Sequence, residues 1–505
     1  MKPVRTLSSC PALLILGLLA AAPAPATTYS IVTVADDFSG NGNCTLREAL
    51  SAAVTNTAVD ACPPGSASTD TIVLGAGTYL LPLGVLDVSS CGVLTVRGPA
   101  ASPPTAVISG GTTHRVLDLQ GACSLTLEDL EIRDGRDLGT STPIGAGVRA
   151  IESSLTVRRS RFFANVARRG GAIGWAASGV ARSLVVEDTV FEQNRAQRPD
   201  NADACQGGAL WANAVSGPEL RISDSRFLDN HAEAPLASDF ARAGGADLSA
   251  EGSGSRVTLE RTRFVGNSAE ATGTGGFATA GGFNGYFQGA TVRIEDVEVR
   301  ANTVSAATPM GGTGLAMLFF ASTQATIDRL SVLDNSAGAA VDQAQLSSQS
   351  LATVIVRDSL VARGEAGMLV AASTNGVALL SQLTVTDHTG VGLELDESGT
   401  NGLSLVNSIV YGNGTNLGTI GLPTIFPSNL IGIDPLFTDA AGGDYTLSAG
   451  SPALDAGDTS FSGIGPYDLG HGARLVGLET DLGAYERGAL FNDGFEAGTA
   501  ASWSW

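Results

Sequence analysis

One short pattern recurs through the middle of the chain and decides the fold. Its clearest copy reads Leu155-Thr-Val-Arg-Arg-Ser-Arg-Phe162, and Asn165 follows three residues later. Apolar and polar residues alternate in each copy, which predicts β-strands and disfavours helices. An apolar anchor closes each copy; the anchors are Ile132, Phe162, Phe191, Phe227, Phe264, Val299, Val332, Val361, Val385 and Val410.

The spacing of the anchors varies while the strand pattern is kept. The step is 24 residues from Val361 to Val385 and 37 residues from Phe227 to Phe264. This combination is typical of a solenoid that stacks strand on strand and lets extra residues leave as loops. We therefore predict an all-β, single-stranded, right-handed parallel β-helix, a pectin-lyase-like solenoid, over residues 70–413.

Two ladders are expected to hold the coils together. Inward rings would stack at Phe162, Phe191, Phe227 and Phe264. Amide side chains would bond along a column, at a turn that tolerates left-handed geometry, at Asn165, Asn194, Asn230 and Asn267. The residues between Asn194 and Gly207, and between Asn267 and Phe283, are predicted to be variable surface loops.

The repeats resemble those of polymorphic outer-membrane proteins. Phe162-Phe-Ala-Asn165 precedes Gly170-Gly-Ala-Ile173, and a second pair keeps the same F-x-x-N and G-G-A-[IL] halves. A third copy ends in Gly244-Gly-Ala-Asp247 and departs at its last position. The resemblance implies a β-helical region used for adhesion.

Residues 1–26 read as a secretory signal peptide. Lys2 and Arg5 precede an apolar run, Ala12 to Ala22, that is too short to span a bilayer, and Ala24-Pro-Ala26 offers a cleavage site. We expect an exported protein without a transmembrane segment, located outside the cell or at the outer-membrane surface.

Residues 27–69 are predicted to cap the first coil. Thr45-Leu-Arg-Glu48 is a capping box that opens a short helix, with Leu46, Ala49, Leu50 and Ala53 on one apolar face. Cys44-Thr-Leu-Arg-Glu-Ala49 also resembles the CSLREA motif of secreted bacterial β-helix proteins. The β-helix itself would begin at Asp70.

Residues 414–487 resemble the choice-of-anchor Q domain, which implies a segment that closes the β-helix. The resemblance rests on Asp434-Pro-Leu-Phe437, Gly443-Asp-Tyr-Thr-Leu447, Gly450-Ser-Pro-Ala-Leu-Asp-Ala-Gly457 and Asp481-Leu-Gly-Ala-Tyr-Glu486. Residues 488–505 would be a short tail. Ca²⁺ is the one cofactor considered, with Asp455, Asp458, Asp468 and Asp481 as candidate ligands, although turn and capping roles are the favoured interpretation.

Export predicts that the cysteines are oxidised. Short loops favour Cys44–Cys62 and Cys91–Cys123 as disulfides, which leaves Cys205 without an assigned role. The chain has no C-x-x-C motif, so a thiolate zinc site is not expected.

Composition narrows the partners. The formal net charge is −21 and Lys2 is the only lysine, so nucleic acid is not an expected partner. A carbohydrate or another ligand on a host or cell surface remains as a candidate partner. We expect the protein to be a monomer.

The motifs of β-helix hydrolases are absent or misplaced. N-T-D does not occur, Asp36-Asp37 precedes the repeats, and Gly470-His-Gly472 follows them. Glu-Asp pairs at 128/129, 187/188 and 295/296 share one repeat position, which predicts a solvated face rather than a catalytic cluster. His388 occupies the asparagine column and is read as a turn residue.

Two functions therefore stay open. The sequence favours a non-enzymatic, adhesin-like binding surface. The alternative is a polysaccharide lyase or glycoside hydrolase whose catalytic residues the sequence does not identify.

Overall fold

The structure is a computed structural model. It describes residues 26–488 except 67–68, 140–142, 180–181, 198–203, 238, 338–340, 399–401 and 462. The expected signal peptide (1–26) and tail (488–505) lie almost wholly outside these residues. Within the described part, no helix is long and apolar enough to cross a membrane.

Parallel strands stacked in register form the body of the molecule. The largest sheet, sheet I, bends in the middle of most coils. Its strands are Thr27–Ile31, Thr69–Leu74, Gly77–Leu80, Gly92–Arg97, Ala106–Ser109, Cys123–Glu128, Leu130–Arg133, Ser154–Arg158, Arg161–Phe163, Ser183–Glu187, Val190–Glu192, Glu219–Ser223, Arg226–Leu228, Arg256–Glu260, Arg263–Val265, Thr291–Arg300, Gln324–Leu333, Thr353–Gly364, Val377–His388, Gly402–Val406, Ile409–Tyr411, Thr424–Ile425 and Leu430–Ile431.

Sheet II faces sheet I across the core and is also parallel. Its strands are Leu86–Asp87, Leu117–Gln120, Val148–Ile151, Ile173–Ser178, Leu210–Val215, Ala246–Glu251, Phe283–Gln288, Leu315–Phe320, Asp342–Gln349, Ala366–Ser373, Val391–Ser398 and Thr415–Ile420.

Two short sheets form a ridge along the middle coils, which we call the fin. Sheet III contains Arg136–Asp137, Val166–Ala167, Arg195–Gln197, His231–Ala234, Ser268–Ala271 and Thr303–Ala306. Sheet IV contains Cys205–Gln206, Phe240–Arg242, Phe277–Thr279 and Thr308–Pro309. An antiparallel pair, Phe437–Asp439 and Asp444–Leu447, flanks a 3₁₀ turn at Ala440–Gly442.

This architecture confirms the predicted right-handed parallel β-helix. The β-helix begins one coil earlier than expected, because Thr27–Ile31 pairs in parallel with the strand that contains Asp70. A helix, α1 (Leu46–Thr55), lies between these two strands. Thr45 caps it: its hydroxyl accepts the Glu48 N–H, and the Glu48 carboxylate accepts the Thr45 N–H.

The phenylalanine column stacks as a ladder in the core. Ring centroids of Phe162 and Phe191 are 5.2 Å apart, those of Phe191 and Phe227 are 4.6 Å apart, and those of Phe227 and Phe264 are 4.7 Å apart. All four side chains are buried. The stack continues to Phe283 at 5.6 Å, a ring contributed by sheet II.

The asparagine column is a second, polar ladder. Asn194 shows the pattern: its side-chain amide donates to the Phe162 carbonyl and to the Asn230 side-chain carbonyl, at 2.9 and 3.0 Å. Its own carbonyl accepts the backbone N–H and the amide of Asn165. The left-handed residue is Gln193, one position earlier, so the expectation that the asparagines themselves sit at a left-handed turn is wrong.

The ladder continues where the repeat lacks asparagine. Gln343 enters from sheet II and accepts the Asn335 N–H at 2.8 Å. It fills the space that a side chain on Gly364 would need. His388 then bridges the Gln343 amide at 3.0 Å and Asn413 at 2.8 Å, which places it in the column as expected.

Glycines form the corner between the fin and sheet II. A Cβ on Gly171 would lie 2.4 Å from the Gly208 carbonyl of the next coil, so only glycine fits there. The strand register places Gly244 above Gly208 and Asp247 above Trp211. The third G-G-A copy is therefore shifted by one residue, which explains its departure from the pattern.

The prediction of variable surface loops is wrong where the fin forms. Residues 268–271 and 277–279 form strands that pair in register with the coils before and after them. Small side chains let the two fin sheets pack closely; the buried cluster is Ala196, Cys205, Ala232, Ala234, Ala241, Ala269, Ala271, Ala278 and Val304. Cys205 is thus a buried fin residue.

Both predicted disulfides are confirmed. Cys44–Cys62 joins the start of α1 to the segment that follows it, and Cys91–Cys123 joins successive coils of sheet I.

The C-terminal segment packs along the side of sheet I rather than across its end. Tyr445 donates to Asp387 at 2.8 Å, and the Ala484 N–H donates to Thr384 at 2.9 Å. In the last coil the inward-facing residues Thr419 and Ile425 stay exposed. The strands of residues 415–431 form the last coil, as expected for the end of the β-helix, but the described residues that follow do not cover the open end of that coil.

Candidate binding site

The acidic pairs of the repeats are engaged in ion pairs. Arg159 binds Asp129 at 3.0 Å and also contacts Glu128, both on the preceding coil. Arg158 binds Glu187 at 2.9 Å. The Glu-Asp pair at 295/296 binds Arg329 in the same way. The face that carries these pairs is solvated, since the side chains of Arg158 and Arg159 are 44% and 47% exposed, and its ion pairs link neighbouring coils.

The four candidate calcium ligands accept backbone N–H groups. Asp481 accepts those of Asp455 and Arg487, both at 2.7 Å. Asp468 accepts those of Gly472 and Glu486, and Asp458 accepts that of Ser460. Asp455 accepts the Leu478 N–H at 3.3 Å. Among the described residues, no three His, Cys, Asp or Glu side chains are grouped so that they could hold a metal. Calcium binding stays a prediction.

The two sequence fragments that resemble hydrolase motifs, Asp36-Asp37 and Gly470-His-Gly472, also lie apart from each other. Asp36 is bound by Arg47 through two hydrogen bonds, at 2.6 and 3.0 Å, beside α1. His471 lies over sheet I, 3.6 Å from Asp296. The fold brings neither fragment to the other.

A cleft opens where the fin meets the outer face of sheet II. Its volume is about 580 Å³. The residues that line it are Gln120, Pro143, Ile144, Arg149, Ile151, Arg168, Arg169, Ala176 and Trp211. The cleft combines an aromatic ring with several cationic groups in a concave space.

Local strand geometry places each of these groups. In the strand Leu210–Val215, Leu210 points into the core and Trp211 points outward, because successive side chains alternate between faces. Arg149 belongs to the same outward column, two coils below. Arg169 sits on the fin side, bridged in parallel to Ile144 and Gln206. The floor and the wall of the cleft therefore come from separate sheets.

The arginines are arranged around the tryptophan ring. The Arg169 guanidinium lies 5.7 Å from the Trp211 ring centroid, within the range of a cation–π contact. Arg149 donates to both oxygens of Asp118, at 2.8 and 2.6 Å. Arg115 lies behind them, 3.6 Å from Asp118. Burial, with the neighbouring charge of Arg149, lowers the pKa of Arg115.

The outer face of sheet II continues upward from the cleft. Above Trp211 the column reaches Asp247, which binds Arg242 at 3.0 Å and Asn284 at 2.8 Å. The adjacent column carries Tyr286, whose ring lies 5.5 Å from that of Phe320. Tyr286 stands two coils above Trp211, which is about 10 Å at the spacing of neighbouring strands.

Sequence reasoning did not find this cleft. Trp211 lies outside the eight-residue pattern, and the Arg168-Arg169 pair is distant from Arg149 in the chain. The alternation of the strand could have identified Trp211 as an outward aromatic, because Leu210 is its inward neighbour. The meeting of fin and sheet II could not be read from the sequence.

The fold defines the chain as a right-handed parallel β-helix protein. No family model matches it, and no curated protein matches it. Among solved structures, pectate lyase Pel9A is similar at 14% identity, over 92% of this chain and 97% of that one, with a TM-score of 0.41.

Two further solved structures are similar. PfbA, a surface adhesin of Streptococcus pneumoniae, matches at 11% identity over 66% of this chain and 84% of that one, with a TM-score of 0.32. A mannuronic acid specific polysaccharide family 6 lyase from human gut microbiota matches at 13% identity over 78% and 82%, with a TM-score of 0.26. These likenesses concern the fold alone.

Proposed function

We propose that the protein is exported and binds a glycan on the outer face of sheet II without cleaving it. The observation that carries the proposal is Trp211, an outward ring in a cleft that also contains Arg149 and Arg169. A flat aromatic face offers apolar contact to a sugar ring, and nearby polar groups fix its orientation.

A rigid scaffold supports the site. Trp211 pairs in register with Gly174 below and Asp247 above, so its strand is fixed on both sides. Sites on strands hold their geometry better than sites on loops. The aromatic pair of Tyr286 and Phe320 further up the same face gives an extended ligand a second place to rest.

The charges beside the cleft favour binding over glycoside hydrolysis. Asp118 is held by two hydrogen bonds from Arg149, so its carboxylate is occupied as an ion-pair partner. A glycoside hydrolase needs two carboxyl groups facing the scissile bond. The lining of the cleft contains arginines and one tryptophan, a set suited to holding a ligand.

Other features agree with an exported binding protein. The disulfides suit an oxidising compartment. The resemblances to polymorphic outer-membrane repeats, to the CSLREA motif and to the choice-of-anchor Q domain favour a surface role.

The test is a panel of purified pectins, alginates, glycosaminoglycans and neutral plant and bacterial polysaccharides, with and without Ca²⁺. We expect at least one to bind, with no release of reducing or unsaturated ends. Trp211→Ala should weaken that binding about five- to tenfold, because stacking of a ring on an aromatic side chain contributes roughly 1–1.5 kcal/mol.

Phe163→Ala is the matched control. Phe163 is also an outward aromatic with an arginine over it, since Arg161 lies 4.2 Å from its ring centroid, but it belongs to sheet I. Its loss should leave binding unchanged. Failure of every polysaccharide to bind would refute the proposal. Release of ends that a single substitution abolishes would instead establish the lyase or hydrolase alternative.

A further inference from the structure

We infer that the open C-terminal end of the solenoid is an interface that joins two copies of this protein end to end. The end is formed by the last coil, whose strands are Thr415–Ile420, Thr424–Ile425 and Leu430–Ile431. In the described part of the chain, each of these strands pairs only with the coil before it. The proposal replaces the monomer expected from the sequence.

The core is uncovered at this end. In the coil before the last, the inward side chains of Leu395 and Leu405 are fully buried. Their neighbours in the last coil are Thr419 and Ile425, which are both exposed, Ile425 to 38%. Because one coil cannot bury its own inward side chains, a further layer of strands stabilises such an end.

The last coil also lacks the charges that protect most strand edges. Charged residues make up 16% of the chain, yet the sequence has none from Ser398 to Ile433, and no histidine there. Natural edge strands carry charges or bulges because an unprotected edge pairs with other strands. On a chain with a net charge of −21, a neutral end lets two copies meet without bringing like charges together.

The direction of the chain favours a second copy over the C-terminal residues as the cover. The Gly483 N–H donates to Asn407, in the coil before the last. The Ala484 N–H donates at 2.9 Å to Thr384, one coil further from the open end. The chain therefore leads away from this end shortly before the described residues stop, and residues 489–505 start from the wrong side to cover it.

The opposite end of the solenoid is closed, which limits the association to two copies. In the first strand, Thr27–Ile31, the inward side chains of Tyr29 and Ile31 are 1% and 2% exposed. They share the core with Leu46 and Leu50 on the apolar face of α1. An open end therefore meets only another open end, and two like ends form a closed two-fold dimer instead of a filament.

The strand Thr415–Ile420 sets the register of the dimer. The N–H of its first residue donates to Gly390 on the coil below, so alternate residues of the strand bond to that coil. The N–H and C=O groups of Asn416, Gly418 and Ile420 therefore point away from the molecule. A two-fold axis through Gly418, perpendicular to sheet II, pairs this edge with its own copy in antiparallel fashion and matches Asn416 with Ile420.

This axis places both binding clefts on one side of the dimer. An axis perpendicular to sheet II keeps the outer faces of that sheet on the same side in the two copies. Trp211 stands seven coils before Gly418, so the two tryptophans lie about 70 Å apart at the spacing of neighbouring strands. This consequence alone rests on the proposed function: a surface glycan that engages both clefts is held by avidity.

Sedimentation velocity over a concentration series of the full-length mature protein tests the inference. We expect a reversible monomer–dimer equilibrium with a dissociation constant on the order of 10 µM, because a single coil offers a small interface. We expect no larger species. Raising the salt from about 50 to about 500 mM should not weaken the dimer, because its interface is uncharged.

Thr419→Lys places a charge at an exposed inward position of the last coil. The axis brings the charges of two copies into one interface, so we expect dimerisation to weaken at least about tenfold. The melting temperature should stay unchanged, because the side chain is exposed in the single molecule. Thr291→Lys adds the same charge at an exposed outward position of sheet I and should leave the equilibrium unchanged.

Gly418→Cys tests the position of the axis. Gly418 meets its own copy there, and opposed Cα atoms of a hydrogen-bonded antiparallel pair are about 5.5 Å apart, within reach of a disulfide. A Cβ at this position meets its nearest neighbours, Val391 and Glu394, at 3.5 Å or more, so the side chain fits. We expect mild oxidation to give a covalent dimer. Ser373→Cys, an outward position of the same sheet two coils below, should give none.

Each outcome decides the inference without deciding the glycan-binding proposal. A protein that stays monomeric up to about 300 µM would overturn the interface. A dimer that forms equally well in Thr419→Lys, or a Gly418→Cys variant that does not cross-link, would place the contact elsewhere and contradict it. Growth beyond two copies would contradict the closed two-fold arrangement.

Discussion

The side chain of Asn230 forms hydrogen bonds to both neighbouring coils. Its amide donates to the Phe191 carbonyl at 3.0 Å and to Asn267 at 2.9 Å, and its carbonyl accepts the N–H of Asn194 at 2.9 Å. The residue is fully buried. Because each bond joins neighbouring coils, the column ties the turns of the solenoid together along its length.

The phenylalanine ladder leads to a prediction about the stability of the apolar core. Phe227 is buried between Phe191 and Phe264, so Phe227→Ala removes two ring contacts and leaves a cavity. We expect a loss of about 3–5 kcal/mol in the free energy of unfolding, measured by urea denaturation. Phe227→Leu, which refills part of the space, should lose less. An unchanged unfolding midpoint for the alanine variant would show that the ladder does not support the fold.

At this scale the sequence predicted the repeated residues and missed the single ones. Phe162 and Asn165 were identifiable because each recurs at a fixed place in successive coils. Gln343 was not, because it reaches the asparagine column from another strand. Trp211 was also missed, because its importance comes from the residues of other elements that the fold places beside it.

The fin is an element that the sequence did not reveal. Its strands are two to four residues long and rich in alanine, which has low β-propensity. Stacking on neighbouring coils supplies the stability that propensity does not. The fin also builds the wall of the cleft, so this missed element is the one that creates the candidate site.

Close packing within the fin is testable. Ala232 is fully buried, with Ala196 below it and Ala269 above it. We expect Ala232→Leu to destabilise the protein by about 1–3 kcal/mol, because larger side chains strain a filled core. Ala371→Leu, at a partly exposed outward position of sheet II, is the control and should change the melting temperature little. Equal effects of the two variants would argue against a packed fin.

On the scale of the whole molecule, the C-terminal segment joins the solenoid through buried charge. Arg474 and Asp358 are each 1% exposed and lie 3.4 Å apart, with Glu486 at 3.9 Å. Burial raises the pKa of Asp358 to about 7, although Arg474 opposes this, and burial likewise raises that of Glu486 to about 7. Both carboxyl groups therefore titrate near neutral pH.

The sign of the resulting pH dependence follows from the raised pKa. The folded protein binds the proton of Asp358 more tightly than the unfolded chain, whose carboxyl has the ordinary value of 3.8. This contribution to stability is complete below about pH 4 and is lost as the pH rises through about 7. We expect the melting temperature to fall between pH 5.5 and 8, and to fall less in Asp358→Asn. Identical slopes in the two proteins would contradict the assignment to Asp358.

The sequence determined the fold class more fully than the arrangement of its parts. The strand period and the anchor spacing sufficed for a parallel β-helix, and the short loops between cysteines, with the expectation of export, sufficed for the two disulfides. The side-on docking of residues 434–487 depends on contacts such as Tyr445 with Asp387, more than fifty residues apart in the chain. Such contacts leave no periodic signal.

The most direct test is a crystal structure of the protein with an oligosaccharide chosen from the binding panel. We expect a sugar ring against Trp211, with polar contacts to Arg149 or Arg169 and the rest of the oligosaccharide along the outer face of sheet II. An oligosaccharide bound on sheet I, or on the C-terminal segment, with the cleft of Trp211 left without sugar, would contradict this expectation.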